Sequence, residues 1–243
     1  MKQIVNILPL LLIIVLATGC KKNYEQPVDA NYSYADKSIV QLYNATLSTT
    51  RNNLYINSTQ INGTPLSYGS LFPSNAYGFS SPIGLASFLI RDTLSTSTQP
   101  QLSFAQNLQG GKNYTIFMYD TMSAVKQKTI ETPVVIPADT TARIRFANFI
   151  FSKTIIPAVD IFSKKRNQNI FTNISTTEVT NYIPFASKIT DTLYVRATGT
   201  TTDLAALNGI TPTSKRGYTI IFRGSYSITT GTLARTLSSF VNY

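Results

Sequence analysis

Hydrophobic and polar residues alternate one by one through most of the chain. Val40 and Leu42 stand on one side of a segment whose other side carries Gln41 and Tyr43. The same rhythm recurs at Leu54 and Ile56, at Phe88 and Ile90, and at Tyr114, Ile116 and Met118. In the second half it recurs at Ile144 and Phe146, with Arg143 and Arg145 expected to point outward, then at Val159 and Ile161, Leu193 and Val195, and Tyr218, Ile220 and Phe222. A period of two is that of a strand with one face buried. Turn formers separate the segments: Asn62-Gly63, Tyr77-Gly78, Gly110-Gly111, Thr198-Gly199 and Arg216-Gly217. No segment sustains a helical period. Only Asp203–Gly209, with Asp203 placed to cap it, reads as a single helical turn.

The alternating blocks repeat in order. "VQLYNA" from Val40 matches "IRFANF" from Ile144, "LYIN" matches "VDIF", "NAYGF" matches "TNYIP", "FLIR" matches "LYVR", and "GKNYTIFMYD" matches "KRGYTIIFRG", all at a shift of about 104–105 positions. The chain reads as a tandem duplication. Several short strands per copy predict an all-β architecture of two tandem antiparallel β-sandwich domains, immunoglobulin-like or transthyretin-like. The first repeat is assigned to 37–131 and the second to 141–243. The Pro-bearing segment 132–140 is a short, stiff linker that stacks the copies end to end.

Residues 1–19 depart from this pattern. A positive start at Lys2 precedes an apolar run from Ile4 to Leu16, too short to span a bilayer and of the length of a signal peptide. Small residues then lead to Cys20, the one cysteine of the chain. This junction resembles the lipobox of bacterial lipoproteins, with Ala17 where that family usually has Leu. The resemblance implies cleavage between Gly19 and Cys20 and acylation of the Cys20 thiol. Residues 20–36 then form a polar tether, and the protein is expected to be anchored by lipid in the outer membrane, at its periplasmic face or on the cell surface. Lys21 behind the cysteine supports export to that membrane.

A second resemblance covers most of 37–243. "ARIRFANF", Pro157-Ala158-Val159-Asp160-Ile161 and Tyr218-Thr219 are similar to the secreted repeats of the domain of unknown function 4397 family. It implies an extracytoplasmic β-domain and no established activity.

Charge and composition narrow the chemistry. The chain carries 21 Lys and Arg against 11 Asp and Glu, but the excess is scattered and only Ser163–Asn167 forms a cluster, read as a hairpin tip. Nucleic acid is therefore not expected as a partner. With no His and one Cys there is no ordinary general base and no nitrogen or thiolate metal site. Neither a G-x-S-x-G nor an S-x-x-K nucleophile motif is present. A pair of carboxylates is the one remaining catalytic arrangement, and Asp160 and Asp191 are the two expected to face each other across strands. The acids are otherwise scattered, so the expectation is a non-enzymatic binding, adhesion or structural module without cofactor or metal, the alternative being an accessory glycan-binding surface lipoprotein of a nutrient-uptake system. Its partner is a protein or a glycan.

Two features bear on recognition. Tyr68, Phe72, Tyr77 and Phe79 lie within "YGSLFPSNAYGF", which reads either as a recognition loop or as an aromatic strand pair packing inward. Asp-Thr occurs at Asp92-Thr93, Asp120-Thr121, Asp139-Thr140 and Asp191-Thr192. This pattern resembles the acceptor motif of periplasmic O-glycosylation, which would make Thr93, Thr121, Thr140 and Thr192 acceptors. Asp-Thr is equally turn chemistry.

Overall fold

A computed structural model describes residues 34–74 and 77–243. The stretch read as a signal peptide, Cys20 and the stretch read as a tether up to residue 33 lie outside the described residues. Tyr34–Asp36 forms a single 3-10 turn, held to the first repeat where Gly111 N donates to Tyr34 O at 2.9 Å.

The first repeat contributes β1 (Lys37–Asn44), β2 (Asn52–Ile56), β3 (Thr59–Gln60), β4 (Leu71–Phe72), β5 (Phe79–Pro82), β6 (Gly84–Asp92), β7 (Leu102–Leu108), β8 (Asn113–Tyr119) and β9 (Lys126–Glu131). The second contributes β10 (Ala142–Phe151), β11 (Val159–Ser163), β12 (Gln168–Ile174), β13 (Ile183–Phe185), β14 (Asp191–Ala197), β15 (Asp203–Ile210), β16 (Gly217–Ser225) and β17 (Thr236–Val241). The sheets of the first repeat run β4-β1-β8-β9, with β5 also on β1, and β3-β2-β6-β7. Those of the second run β13-β10-β16-β17 and β12-β11-β14-β15, the same order.

Each repeat is a sandwich, but not a purely antiparallel one. β1 pairs parallel with β8, and β10 parallel with β16; every other pairing between strands is antiparallel. A parallel pair needs a long crossover, and here the crossover is the whole second sheet of the repeat. Register preserves the duplication in the parallel pairs. Val40 sits opposite Tyr114, and Ile144 opposite Tyr218, both related by 104. In the other sheet the pairing slips by two, Leu54 with Ile90 but Ile161 with Val195. A slip of two leaves every side chain on its original face.

The two copies do not stack end to end. Residues 34–243 form one compact unit. Val40, Leu42, Ile116 and Met118 fill the first sandwich, and Ile144, Phe146, Ile220 and Phe222 the second. The opposite faces of the same strands supply a third core of Tyr43, Phe117, Phe149, Ile221 and Phe240. Sheets β4-β1-β8-β9 and β13-β10-β16-β17 thus pack face to face, so both are covered on both sides. Phe117 stacks on Phe149 with ring centroids 4.6 Å apart, and Tyr43 on Phe240 at 5.0 Å. Burial of these faces explains why Arg145, expected outward, is only 2% exposed.

Asp203–Gly209 is not a helical turn. It lies in β15, where Ala205 pairs with Val195 and Ala206 with Tyr194. The neighbouring strand offers ladder hydrogen bonds and a core for Leu204 and Leu207, which outweigh the weak helical preference of Leu-Ala-Ala. Residues 164–167 form the tip between β11 and β12.

Candidate functional site

β1 runs along the seam between the repeats and turns Lys37, Ile39 and Gln41 to one side, as the strand period requires. That side opens into a cleft of about 520 Å³. The 3-10 turn brings Tyr34 to it, the segment before β5 brings Tyr77 and Gly78, and β8 begins with Asn113. The linker adds Thr132 and Val134, and the end of the chain adds Asn242 and Tyr243. Tyr34 is 65% exposed and Tyr77 55%, whereas Tyr243 is buried along one wall.

The position of the cleft follows from a difference between the copies. The antiparallel register of β1 with β5 sets Ile39 opposite Ser80 and Val40 opposite Phe79. That of β10 with β13 sets Arg143 opposite Pro184 and Ile144 opposite Ile183. One step further, Gln41 faces Gly78 in the first repeat where Arg145 faces Tyr182 in the second. The counterpart of Tyr182 is therefore Gly78, one position from the match that the sequence blocks suggest. In the second repeat the Arg145 guanidinium lies 4.9 Å from the Tyr182 ring centroid and closes the space. In the first repeat glutamine and glycine leave it open. A Cβ on Gly78 would come within 2.6 Å of Val40 O, so the position accepts no side chain.

The floor of the cleft is a polar network in the seam. Gln41 Nε2 donates to Val241 O at 3.0 Å, and Asn242 Nδ2 to Gln41 Oε1 at 2.9 Å. Asn242 Oδ1 accepts from Thr219 Oγ1 at 2.6 Å and from Tyr182 OH at 2.8 Å. Arg145 Nε donates to Thr219 Oγ1 at 2.9 Å, and its Nη2 to Thr115 and Thr132 Oγ1, each at 3.1 Å. Burial lowers the pKa of Arg145 and pushes the Tyr182 phenol far above its usual range. The Tyr243 ring meets Tyr182 edge-on at 5.9 Å, and its hydroxyl donates to Val135 O at 3.2 Å. Gly217 makes room for that ring, since a Cβ there would lie 2.3 Å from Tyr243 Cε1.

Of the four aromatic residues read as a recognition loop, Tyr77 alone lines the cleft. Its hydroxyl accepts from Arg216 Nη1, whose guanidinium stands 5.3 Å from the ring centroid. Phe72 and Phe79 pack against the first core with centroids 5.5 Å apart. Tyr68 lies beneath the Arg223 guanidinium at 4.7 Å. These three act as packing groups that tie loops to sandwiches. Tyr34, Lys37, Asn113, Asn242 and Tyr243 reach the cleft without any local signal in the sequence, because only the seam assembles them.

The carboxylates are committed elsewhere. Asp160 and Asp191 do not face each other. Asp160 sits opposite Arg196, while Asp191 lies beyond the Ser163–Leu193 pair at the other end of the same strands. Asp160 accepts from Asn173 N at 2.8 Å, Thr198 Oγ1 at 2.8 Å and Asn169 Nδ2 at 3.0 Å. Asp191 accepts from Ser163 Oγ at 2.5 Å and from Lys165 N and Thr192 N at 2.8 and 2.7 Å. In the Asp-Thr pairs, Asp92, Asp120 and Asp139 likewise accept from backbone N–H groups one or two residues on. Thr93 and Thr140 are exposed, Thr121 and Thr192 half-buried. Among the described residues no three His, Cys, Asp or Glu side chains gather where a metal could sit.

No family model matches the chain, and no curated protein matches it. Among solved structures it is similar to a carbohydrate-binding module of family CBM26 from Eubacterium rectale Amy13K, determined in complex with maltoheptaose. The likeness has a TM-score of 0.27 and 11% identity, over 83% of this chain and 95% of that one. At that TM-score it carries no conclusion about the present chain.

Proposed function

We propose that this protein is a non-enzymatic binding module of the bacterial envelope, and that the cleft between its repeats takes up a glycan. The observation that carries this reading is the set of tyrosines Tyr34, Tyr77 and Tyr243, which together with the core residue Tyr114 line an open cavity that also carries the amide of Asn113. Pyranose rings present apolar faces that stack on aromatic rings and hydroxyls that pair with amides. No Asp or Glu side chain is among the described residues that line the cleft, so none is placed there as the general acid or base of glycoside cleavage.

The lipobox-like junction at Cys20 supports anchoring by lipid in the outer membrane, and the resemblance to the family of unknown function supports an extracytoplasmic setting. Acyl chains hold a protein at a bilayer because each buried methylene contributes about 0.8 kcal/mol. Detergent partition of the native protein tests this: it enters the detergent phase, and Cys20→Ala returns it to the aqueous phase. Exposed Thr93 and Thr140 are the acceptors best placed for O-glycans, which intact-mass measurement detects.

Calorimetric titration with a panel of oligosaccharides tests the glycan reading. Saturable binding that falls about tenfold or more in Tyr77→Ala, with unchanged melting, is the expected result. Absence of binding across the panel overturns it.

A further inference from the structure

We infer that the saccharide accepted by this cleft is anionic, bearing carboxylate or sulfate groups; the inference rests on the glycan reading above. Among the described residues lining the cavity, Lys37 is the one with a charged side chain; no Asp or Glu lines it, and the acid nearest Lys37 is exposed Asp36, 4.0 Å away and outside the lining. Behind the wall lies a second cation. Arg145 is 2% exposed, and the partners of its Nε and Nη2 are the hydroxyls of Thr219, Thr115 and Thr132, the last of which also lines the cleft. No carboxylate approaches it within 4.0 Å among the described residues. A guanidinium keeps its charge even when buried, so a full positive charge sits one hydrogen bond behind the cleft wall without an ion-pair partner among the described residues.

Two further arginines reinforce the sign. Arg216 stands beside Tyr77 at the rim. Burial raises the pKa of Tyr243, and Arg143 and Arg145 are near enough to its hydroxyl to oppose that rise. Of the acids nearby, one is neutralised by a lysine and one is held by a neutral hydroxyl. Glu131 pairs with Lys112 at 2.7 Å, and Asp139 accepts from Thr141 Oγ1 at 2.5 Å. Exposed Asp36 lies 4.0 Å from Lys37, at the limit of an ion pair. Field lines from a charge embedded between packed sheets emerge where the low-dielectric wall is interrupted, which here is the cleft. The open volume itself arises where Gln41 and Gly78 replace the arginine-tyrosine pair of the other copy. A pyranose ring filling it takes up the space that Tyr182 closes in the second repeat, and an acidic substituent on that ring would face the cations.

The test is titration of the mature, micelle-bound lipoprotein with trigalacturonate and a sulfated galactotriose, against neutral galactotriose and maltotriose. The charged sugars are expected to bind about tenfold tighter at low ionic strength, with the advantage shrinking towards about 0.5 M salt as screening shortens. Lys37→Gln is expected to weaken the charged sugars about threefold or more and the neutral ones by less, so that the preference for charge narrows. Neutral sugars binding as tightly as charged ones overturn the inference and leave the glycan reading standing. If neither kind binds, the glycan reading fails with it.

Discussion

Arg145 of the second repeat donates from Nη2 to Thr115 Oγ1 of the first at 3.1 Å, and no carboxylate answers its charge among the described residues. This contact crosses the seam at the level of the cleft. Thr115 and Thr219 are equivalent positions of the duplication, so the arginine bridges the same hydroxyl in both copies.

The balance at this arginine predicts how two substitutions differ. Arg145→Ala removes three charge-assisted hydrogen bonds and leaves a cavity, at an expected cost of about 2–4 kcal/mol. Arg145→Met fills much of the same volume without a buried charge. The threonines keep partners in its absence, Thr115 with Thr132 at 2.7 Å and Thr219 with Asn242 at 2.6 Å. It is therefore expected to cost about 1 kcal/mol or less. Urea denaturation of both variants measures the difference.

Because the sheets share a third core, the repeats should unfold together. Calorimetry is expected to show one transition for the folded body despite its two sandwiches. Phe117→Ala opens a cavity in the seam, where it stacks on Phe149, and should destabilise by about 3–5 kcal/mol. Two separate transitions in the unsubstituted protein would contradict the shared core.

Gly224 and Gly231 both hold a positive φ, +106° and +83°, but their surroundings differ. A Cβ on Gly224 would meet Ala234 O at 2.2 Å, whereas Gly231 faces open space. Gly231→Ala is expected to cost about 1 kcal/mol for the left-handed backbone alone. Gly224→Ala has to displace the backbone at Ala234 and Arg235, just before β17, as well and should cost about 3 kcal/mol or more. Thermal melts of the pair separate conformational strain from steric contact.

Acid should loosen the first repeat through Asp92. Burial raises its pKa, but hydrogen bonds from Leu94 N, Ser97 Oγ and Arg51 Nε outweigh that effect and hold it below its ordinary value near 3.8. A carboxyl whose folded pKa is depressed contributes stability that is complete above the unfolded value and is lost as pH falls through the folded one. Urea midpoints should therefore drop below about pH 4, with a smaller drop in Asp92→Asn, which cannot titrate there. Equal acid sensitivity of both proteins would assign the loss to other groups.

The alternation of residues by itself determined much of this molecule. A period of two places each strand and names its two faces, and the matched blocks make the duplication visible, because both are local properties of the chain. The lipobox-like stretch at Cys20 is equally local. What covers each face is not local. Gln41, Thr115, Arg145 and Thr219 alternate as solvent-facing residues do, yet they are buried because a second sheet lies on them. The helical turn at Asp203 gave way to a strand for the same reason, since a neighbouring edge offered ladder bonds that seven residues cannot supply alone. The cleft shows the division most sharply. That one copy has Gly78 where the other has Tyr182 depends on a strand register one position away from the best sequence match. Only packing of the sheets against each other turned that difference into an open cavity.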